Sequence, residues 1–113
     1  MKEDVIKRLV ADFPNLKDEI ESSLNDFSEI YLHLIFGDIF NPYLLSLLDD
    51  PQRNSAQLTK AGELLEYMAN SGDYTQEVVA ATVSERLTDD PEKFKAFAAF
   101  AGGVTKDLMR SVL

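Results

Sequence analysis

The sequence predicts an all-α fold, a compact bundle of six or seven short helices. Through most of its 113 residues, apolar side chains recur three and four positions apart, which places them on one face of a helix. Glycine and proline interrupt this pattern at several points, and polar residues typical of helix starts accompany them. Short connections predict antiparallel helical hairpins. Helix pairs of this size also build α-solenoids, although no self-similarity at a fixed period supports a repeat array.

The chain is predicted to be organised around a helical hairpin at residues 63–87. Gly62 predicts that another helix approaches closely, because glycine inside a helix costs about 1 kcal/mol relative to alanine. Gly72 stands where a helix ends in a left-handed residue. Asp73 and Gln76 fit a capping box for the second helix. That helix carries apolar residues on two sides, which predicts a central position; they are Val79, Val83, Leu87 on one side and Tyr74, Val78, Ala81 on the other.

Two helices are predicted before the hairpin, on either side of Pro14, because proline disfavours helix in the residue before it. Their apolar stripes are Val5, Ile6, Leu9, Val10 and Phe13, then Leu16, Ile20, Leu24 and Phe27. Asp26 and Glu29 fit a capping box for a third helix. Residues 30–36 are almost wholly apolar, so they fit a buried strand or a buried helix. We favour the helix, because no other stretch offers a partner strand.

Gly37-Asp38 is predicted to end that segment, and Asn41-Pro42 to begin a new helix as its cap and first residue. Residues 49–54 form a polar loop. After the hairpin, Asp90-Pro91 marks another helix start, with an apolar face of Phe94, Phe97, Ala98 and Ala101. Gly102-Gly103 is expected to end this helix, before a terminal helix that carries Val104, Leu108, Met109 and Val112.

Length and composition indicate a single domain, residues 1–113, located in the cytoplasm. Its apolar content of 45% is that of a globular protein. The chain has no cysteine, which excludes disulfides, thiolate metal sites and a thiol nucleophile. The first ten residues lack the basic and apolar regions of a signal peptide. No stretch reaches the roughly 18 apolar residues that a membrane span requires.

Charge is distributed unevenly along the chain. Residues 1–90 hold 18 acids and 7 bases, a net charge of −11, whereas residues 91–113 hold 2 acids and 4 bases, a net charge of +2. An acidic surface disfavours nucleic acid and anionic membranes, because both are bound by neutralising phosphate. It favours a basic protein partner.

No set of catalytic, cofactor-binding or metal-ligating residues is evident, so we predict that the protein is not an enzyme. His33 is the single histidine, and it has no second histidine or cysteine with which to form a transition-metal site. Adjacent acids such as Asp49-Asp50 precede proline, where helix-start chemistry already accounts for one of them. No nucleotide-binding loop or EF-hand pattern is present.

Three motifs together resemble the pattern of a family of small, uncharacterised all-helical bacterial domains. They are FPNL at 13–16, FGD at 36–38 and MANSGDYTQEVVAATVSERL at 68–87, which mark turns and not chemistry. The segment Ala101-Gly102-Gly103 departs from that pattern, in which a Gly-Pro turn is expected. The resemblance covers most of the chain and implies a helical fold without an established activity. Since such domains resemble small proteins found beside secreted toxins, it also suggests an immunity function.

Our leading hypothesis is therefore a protein-binding domain, an immunity-type inhibitor that covers the basic active site of a nuclease-like toxin. The predicted partner-binding residues come from the polar loop, the outer face of the hairpin and its turn: Asp49, Asp50, Glu63, Glu66, Tyr67, Asp73 and Glu77. Tyr67 belongs to this set because tyrosine is enriched at binding hot spots; the alternative is that its ring packs on a neighbouring helix. One alternative is a scaffolding domain that self-associates. Another is a small ligand sensor in which His33 and two carboxylates converge in a pocket.

Overall fold

The structure is a computed structural model that describes residues 2–26 and 30–110. Every regular element within these ranges is helical, which confirms the predicted all-α bundle. Some predicted features fall outside them: Phe27 and Val112, and the capping box of Asp26 and Glu29, for which neither side chain is described. No described helix is long and apolar enough to cross a lipid bilayer.

Seven helices follow one another in the described residues, in agreement with the predicted number. A 3₁₀ turn at Pro14–Leu16 leads directly into the second helix, and the third and fifth helices are each assembled from three consecutive segments. The helices are α1 Lys2–Asp12, α2 Lys17–Asp26, α3 32–47, α4 Ser55–Ala69, α5 73–88, α6 Pro91–Ala98 and α7 Gly103–Arg110.

Both α3 and α5 contain a π-helical segment in the middle, at Phe36–Phe40 and Val78–Val83 respectively. At the end of each segment a backbone N–H donates to a carbonyl five residues earlier, from Asn41 to Phe36 and from Ser84 to Val79. This i→i+5 bond is the signature of a π turn, which is rare and occurs frequently at functional sites.

The π segment of α3 overturns the predicted break between residues 37 and 42. The helix neither ends at Gly37-Asp38 nor begins again at Asn41-Pro42, because it continues from Leu32 through Leu47. Proline inside an α-helix lacks the N–H and its ring crowds the carbonyl four residues earlier. The wider π turn directly before Pro42 shifts the hydrogen-bond pattern, so that proline is accommodated without a chain break.

The predicted hairpin is confirmed as α4 and α5, which contact each other. Gly72 joins them with φ of 135° and ψ of 173°, a backbone conformation that residues other than glycine rarely adopt. The predicted capping box is wrong, because α5 starts with Asp73 itself and the capping position falls on Gly72. Gln76 instead donates from Nε2 to the carbonyl of Ala69 at 3.4 Å, which satisfies a terminal acceptor of α4.

The helix α5 is central, as its two apolar sides predict. Its π segment contacts the π segment of α3, and it also packs against α4 and α7. Four of its apolar side chains are buried in the core: Val78, Val79, Val83 and Leu87. The largest fully buried side chains come from α1, α2, α3, α4 and α6 as well as the turn after α1, among them Leu9, Phe13, Ile20, Phe36, Phe40, Leu64 and Phe97.

The close approach predicted at Gly62 is confirmed, but the predicted neighbour is wrong. Gly62 lies against the turn that follows α6 and not against a helix, and an added Cβ would overlap the carbonyl of Phe100. The predicted helix start at Asp90-Pro91 is confirmed. Asp90 caps α6 by accepting a hydrogen bond at 3.2 Å from the N–H of Lys93, with Pro91 as the first helical residue.

Candidate partner-binding groove

The two π segments lie against each other, and Thr82 connects them. The side-chain amide of Asn41 donates from Nδ2 to the carbonyl oxygen of Thr82 at 3.0 Å. The hydroxyl of the same threonine lies 2.5 Å from Nδ1 of His33. The His33 ring also meets Tyr74 edge-on at a centroid distance of 5.5 Å. These contacts fix α3 against α5 and determine which side of α3 faces outward.

A groove and a cleft adjoin on that outward side and share two residues, Leu34 and Asp38. The groove, between α2 and α3, has a volume of about 610 Å³ and is lined by Asp18, Glu19, Ser22, Ser23, Leu34, Asp38 and Ile39. The cleft, between α3 and α5, has a volume of about 270 Å³ and is lined by His33, Leu34, Gly37, Asp38, Ala81, Thr82, Glu85 and Arg86. We call the groove and cleft together the Leu34 surface.

Leu34 is an apolar side chain exposed at the centre of this surface. Leu32 and Ile35 on the same helical turn are buried, whereas Leu34 is 39% exposed. Tyr31 is 41% exposed, and these are the two large apolar side chains that the described part of the chain leaves in solvent. Full burial of an exposed leucine contributes about 1.5–3 kcal/mol, and burying the part of Leu34 that is still exposed would contribute a corresponding fraction of that energy. Leu34 can therefore anchor a partner.

Carboxylates surround Leu34, and the cation of Arg86 lines the cleft beside it. Asp18, Glu19 and Asp38 form no ion pair with any residue in the described ranges. In contrast, the nearby Glu21 pairs with Lys17 at 3.8 Å. Unpaired carboxylates in a concave surface create a negative potential that attracts lysine and arginine. The arrangement is complementary to a segment that combines an apolar side chain with basic ones.

The ligand-sensor hypothesis centres on the cleft, which His33 shares with the two carboxylates of Asp38 and Glu85. One ring nitrogen of His33 is already held by Thr82. In residues 2–26 and 30–110, no group of three or more histidine, cysteine, aspartate or glutamate residues is placed to hold a metal ion. A ligand-sensing role for His33 stays a prediction.

Three of the seven residues predicted to bind a partner contact another helix of the chain. Asp49 forms an ion pair with Lys93, whose Nζ lies 2.8 Å from Oδ1. The hydrogen bond within this pair raises the pKa of Lys93. The guanidinium of Arg8 lies over the ring of Tyr67, 4.9 Å from its centroid, so Tyr67 packs on α1. Glu66 holds the start of α7.

Glu66 acts as a clasp between α4 and α7. Its Oε1 accepts hydrogen bonds from the backbone N–H and the hydroxyl of Thr105, both at 2.9 Å, and its Oε2 accepts from the N–H of Val104 at 3.2 Å. An added Cβ on Gly102 would overlap this carboxylate. The carboxylate thus supplies the cap that α7 lacks in its own sequence.

The remaining four predicted residues have no cation partner among the described residues. Asp50 accepts a hydrogen bond at 3.2 Å from the N–H of Arg53, which shapes the loop after α3. Glu63, Asp73 and Glu77 are exposed along α4 and at the start of α5. Partner binding by the seven residues stays a prediction. Sequence reasoning missed the Leu34 surface because it assigned residues 30–36 to the buried core and Asp38 to a turn.

The hydrogen bonds that Glu66 accepts are expected to make the stability of the fold depend on pH. Partial burial alone would raise the pKa of Glu66, but the hydrogen bonds from Thr105, Val104 and Asn70 outweigh it and hold the pKa below its ordinary value. The contribution of Glu66 to stability is therefore complete above the unfolded pKa of about 4.3 and is lost as pH falls through the lower folded pKa. In urea titrations, the stability difference between the wild type and Glu66→Gln should shrink as pH is lowered below about 4. A difference that stays constant down to about pH 2 would contradict this.

Comparison with known proteins identifies the family. The family model described as Domain of unknown function (DUF7674) matches residues 6–112. The chain belongs to this family. That assignment agrees with the resemblance to small uncharacterised domains, and it carries no activity. No curated protein and no solved structure matches the chain.

Proposed function

We propose that this chain is a non-enzymatic protein-binding domain whose Leu34 surface docks a basic partner. One observation carries the proposal: an exposed leucine lies between two concave regions and is surrounded by the carboxylates of Asp18, Glu19 and Asp38, which have no cation partner in the described residues. An apolar anchor supplies affinity, while surrounding charge speeds association and selects partners of opposite sign.

In its most specific form, the proposal is an immunity-type inhibitor that acts in the cytoplasm of a bacterium and covers the basic active site of a nuclease-like toxin. Support comes from the net charge of −11 over residues 1–90 and from the concentration of unpaired carboxylates around one apolar side chain. Such a surface is negatively charged, like the phosphate backbone of the nucleic acid that a nuclease binds. A nuclease with basic residues lining its substrate cleft would then be blocked without any reaction.

The variant Asp18→Lys/Asp38→Lys should weaken binding of a basic probe by about tenfold, because each replacement turns attraction into repulsion. The probe is a fluorescent peptide in which arginines flank a central leucine, and its dissociation constant is measured by anisotropy at low and at physiological salt. Leu34→Ala should also weaken binding, with a salt dependence that is unchanged, since it removes apolar contact and no charge.

The matched control is Glu63→Lys/Glu77→Lys, which makes the same change in net charge on the hairpin. All four replaced carboxylates are exposed, so both double variants are expected to fold, and thermal unfolding checks this. If both bind the probe equally weakly, binding follows net charge and not the Leu34 surface. If only the hairpin variant is impaired, the site is the one predicted from the sequence.

A further inference from the structure

We propose that the Leu34 surface also binds a second copy of this chain, through an apolar pocket between α6 and α7. This inference rests on the proposed function, because it uses the same Leu34 surface. Here the surface is occupied by another copy of the chain and not by a foreign protein. The two copies would use different surfaces, so that one presents Leu34 and the other presents the pocket.

The pocket between α6 and α7 has a size that suits one leucine side chain. Its volume is about 120 Å³, and it is lined by Phe94, Ala98, Lys106, Met109 and Arg110. An apolar cavity of about 150 Å³ is large enough to take up benzene. A branched side chain of four carbons, such as that of Leu34, therefore fits the space between Phe94 and Met109.

The charges around this pocket are opposite to those around Leu34. Lys106 and Arg110 are one helical turn apart on α7, in the stretch 91–113 whose net charge is +2. Lys106 forms no ion pair with any residue that the structure describes. Arg110 pairs with Asp107 at 3.2 Å, and both side chains are more than 70% exposed. An exposed pair of this kind contributes about 0–1 kcal/mol, so Arg110 can exchange Asp107 for a carboxylate of another copy.

This pairing is head-to-tail. Because the interface joins two different surfaces, each dimer still carries one unused Leu34 surface and one unused pocket, and longer assemblies follow. The net charge of −9 on each copy opposes association, so assemblies are expected at high protein concentration. Self-association would occupy the Leu34 surface and thereby compete with a basic partner for it.

Sedimentation velocity on the full chain tests this, with one variant for each half of the interface. Wild-type protein should show a weight-average sedimentation coefficient that rises with concentration. Asp18→Lys/Asp38→Lys disables the Leu34 surface, and Lys106→Glu/Arg110→Glu disables the pocket, so each variant alone should be monomeric. An equal mixture of the two should associate again, because the acidic Leu34 surface of one variant meets the basic pocket of the other, and the introduced lysines meet the introduced glutamates.

The inference is overturned if the wild type remains a monomer at all concentrations, or if the pocket variant associates as the wild type does. The same variants separate it from the proposed function. At concentrations where the wild type is monomeric, Lys106→Glu/Arg110→Glu should bind the arginine-leucine peptide no more weakly than the wild type does. A monomeric wild type that still binds this peptide through the Leu34 surface would end the self-association proposal alone, whereas loss of peptide selectivity with intact assembly would end the proposed function alone.

Discussion

Replacing Glu66 with alanine should lower the free energy of unfolding by about 3 kcal/mol, because it removes the acceptor that holds α7. The backbone N–H and hydroxyl of Thr105 both donate to Glu66, and Thr105 is only 1% exposed. Both groups would be left without a partner away from solvent, and each such loss costs about 1–3 kcal/mol. Unfolding in urea, followed by circular dichroism, measures the change.

The control for this prediction is Glu63→Ala, one helical turn earlier on α4. Glu63 is exposed and has no hydrogen bond or ion pair with the described residues, so its replacement should change stability by less than about 0.5 kcal/mol. Glu66→Gln keeps one acceptor oxygen and should fall between the two. Equal stability of Glu66→Ala and Glu63→Ala would show that the clasp does not support α7.

Replacing Gly62 with alanine should also destabilise the fold, by about 2–3 kcal/mol. On an exposed helix this substitution stabilises by roughly 1 kcal/mol, because alanine has the higher helix propensity. Here the new Cβ would overlap the carbonyl of Phe100, and overpacking costs typically about 1–3 kcal/mol. The backbone carbonyl must move, together with the turn that leads into α7. Calorimetric unfolding gives the sign of the change directly.

Gly103 offers a matched control for Gly62. It is the first residue of α7, and a Cβ added to it meets no atom within 4 Å. Gly103→Ala should therefore be neutral or stabilising by up to about 1 kcal/mol. If Gly62→Ala behaved like Gly103→Ala, the close contact between α4 and the turn at Phe100 would not be part of the stable fold.

Sequence patterns predicted the helical class, the hairpin and most of the core because those features follow from local rules. The spacing of Val79, Val83 and Leu87 identifies a helix face whatever it packs against. Gly62 and Gly72 were informative for opposite reasons, since one is required by a neighbour and the other by its own backbone. Asp90-Pro91 combines a side-chain cap with a fixed proline φ, so its helix start is specified within four residues.

The continuity of α3 could not be predicted in this way. Gly37 and Pro42 are ordinary helix breakers, and a local reading stops the helix at them. The helix persists because the π turn accommodates Pro42 and because Asn41 and His33 are tied to Thr82, about 40–50 residues later in the chain. Contacts at such a separation leave no periodic signal in the sequence.

The candidate site was missed for a related reason. In a run such as IYLHLIF, the sequence does not reveal which apolar residue faces solvent until the packing of α3 on α5 is known. Conversely, Glu66 and Tyr67 were predicted to face a partner, because the sequence does not show that α7 and α1 flank α4. Charge alone led to the prediction of an acidic binding protein, and the fold shows where carboxylates lie around an exposed apolar side chain.

Site-specific photo-crosslinking in the native host tests the central claim most directly. A photoreactive amino acid is placed at Leu34 in one protein and at Glu63 in another, and the crosslinked products are identified by mass spectrometry. The Leu34 surface predicts that position 34 captures a basic protein, that position 63 does not, and that Asp18→Lys/Asp38→Lys abolishes the capture. Capture of the same basic protein from position 63 and not from position 34 would contradict it.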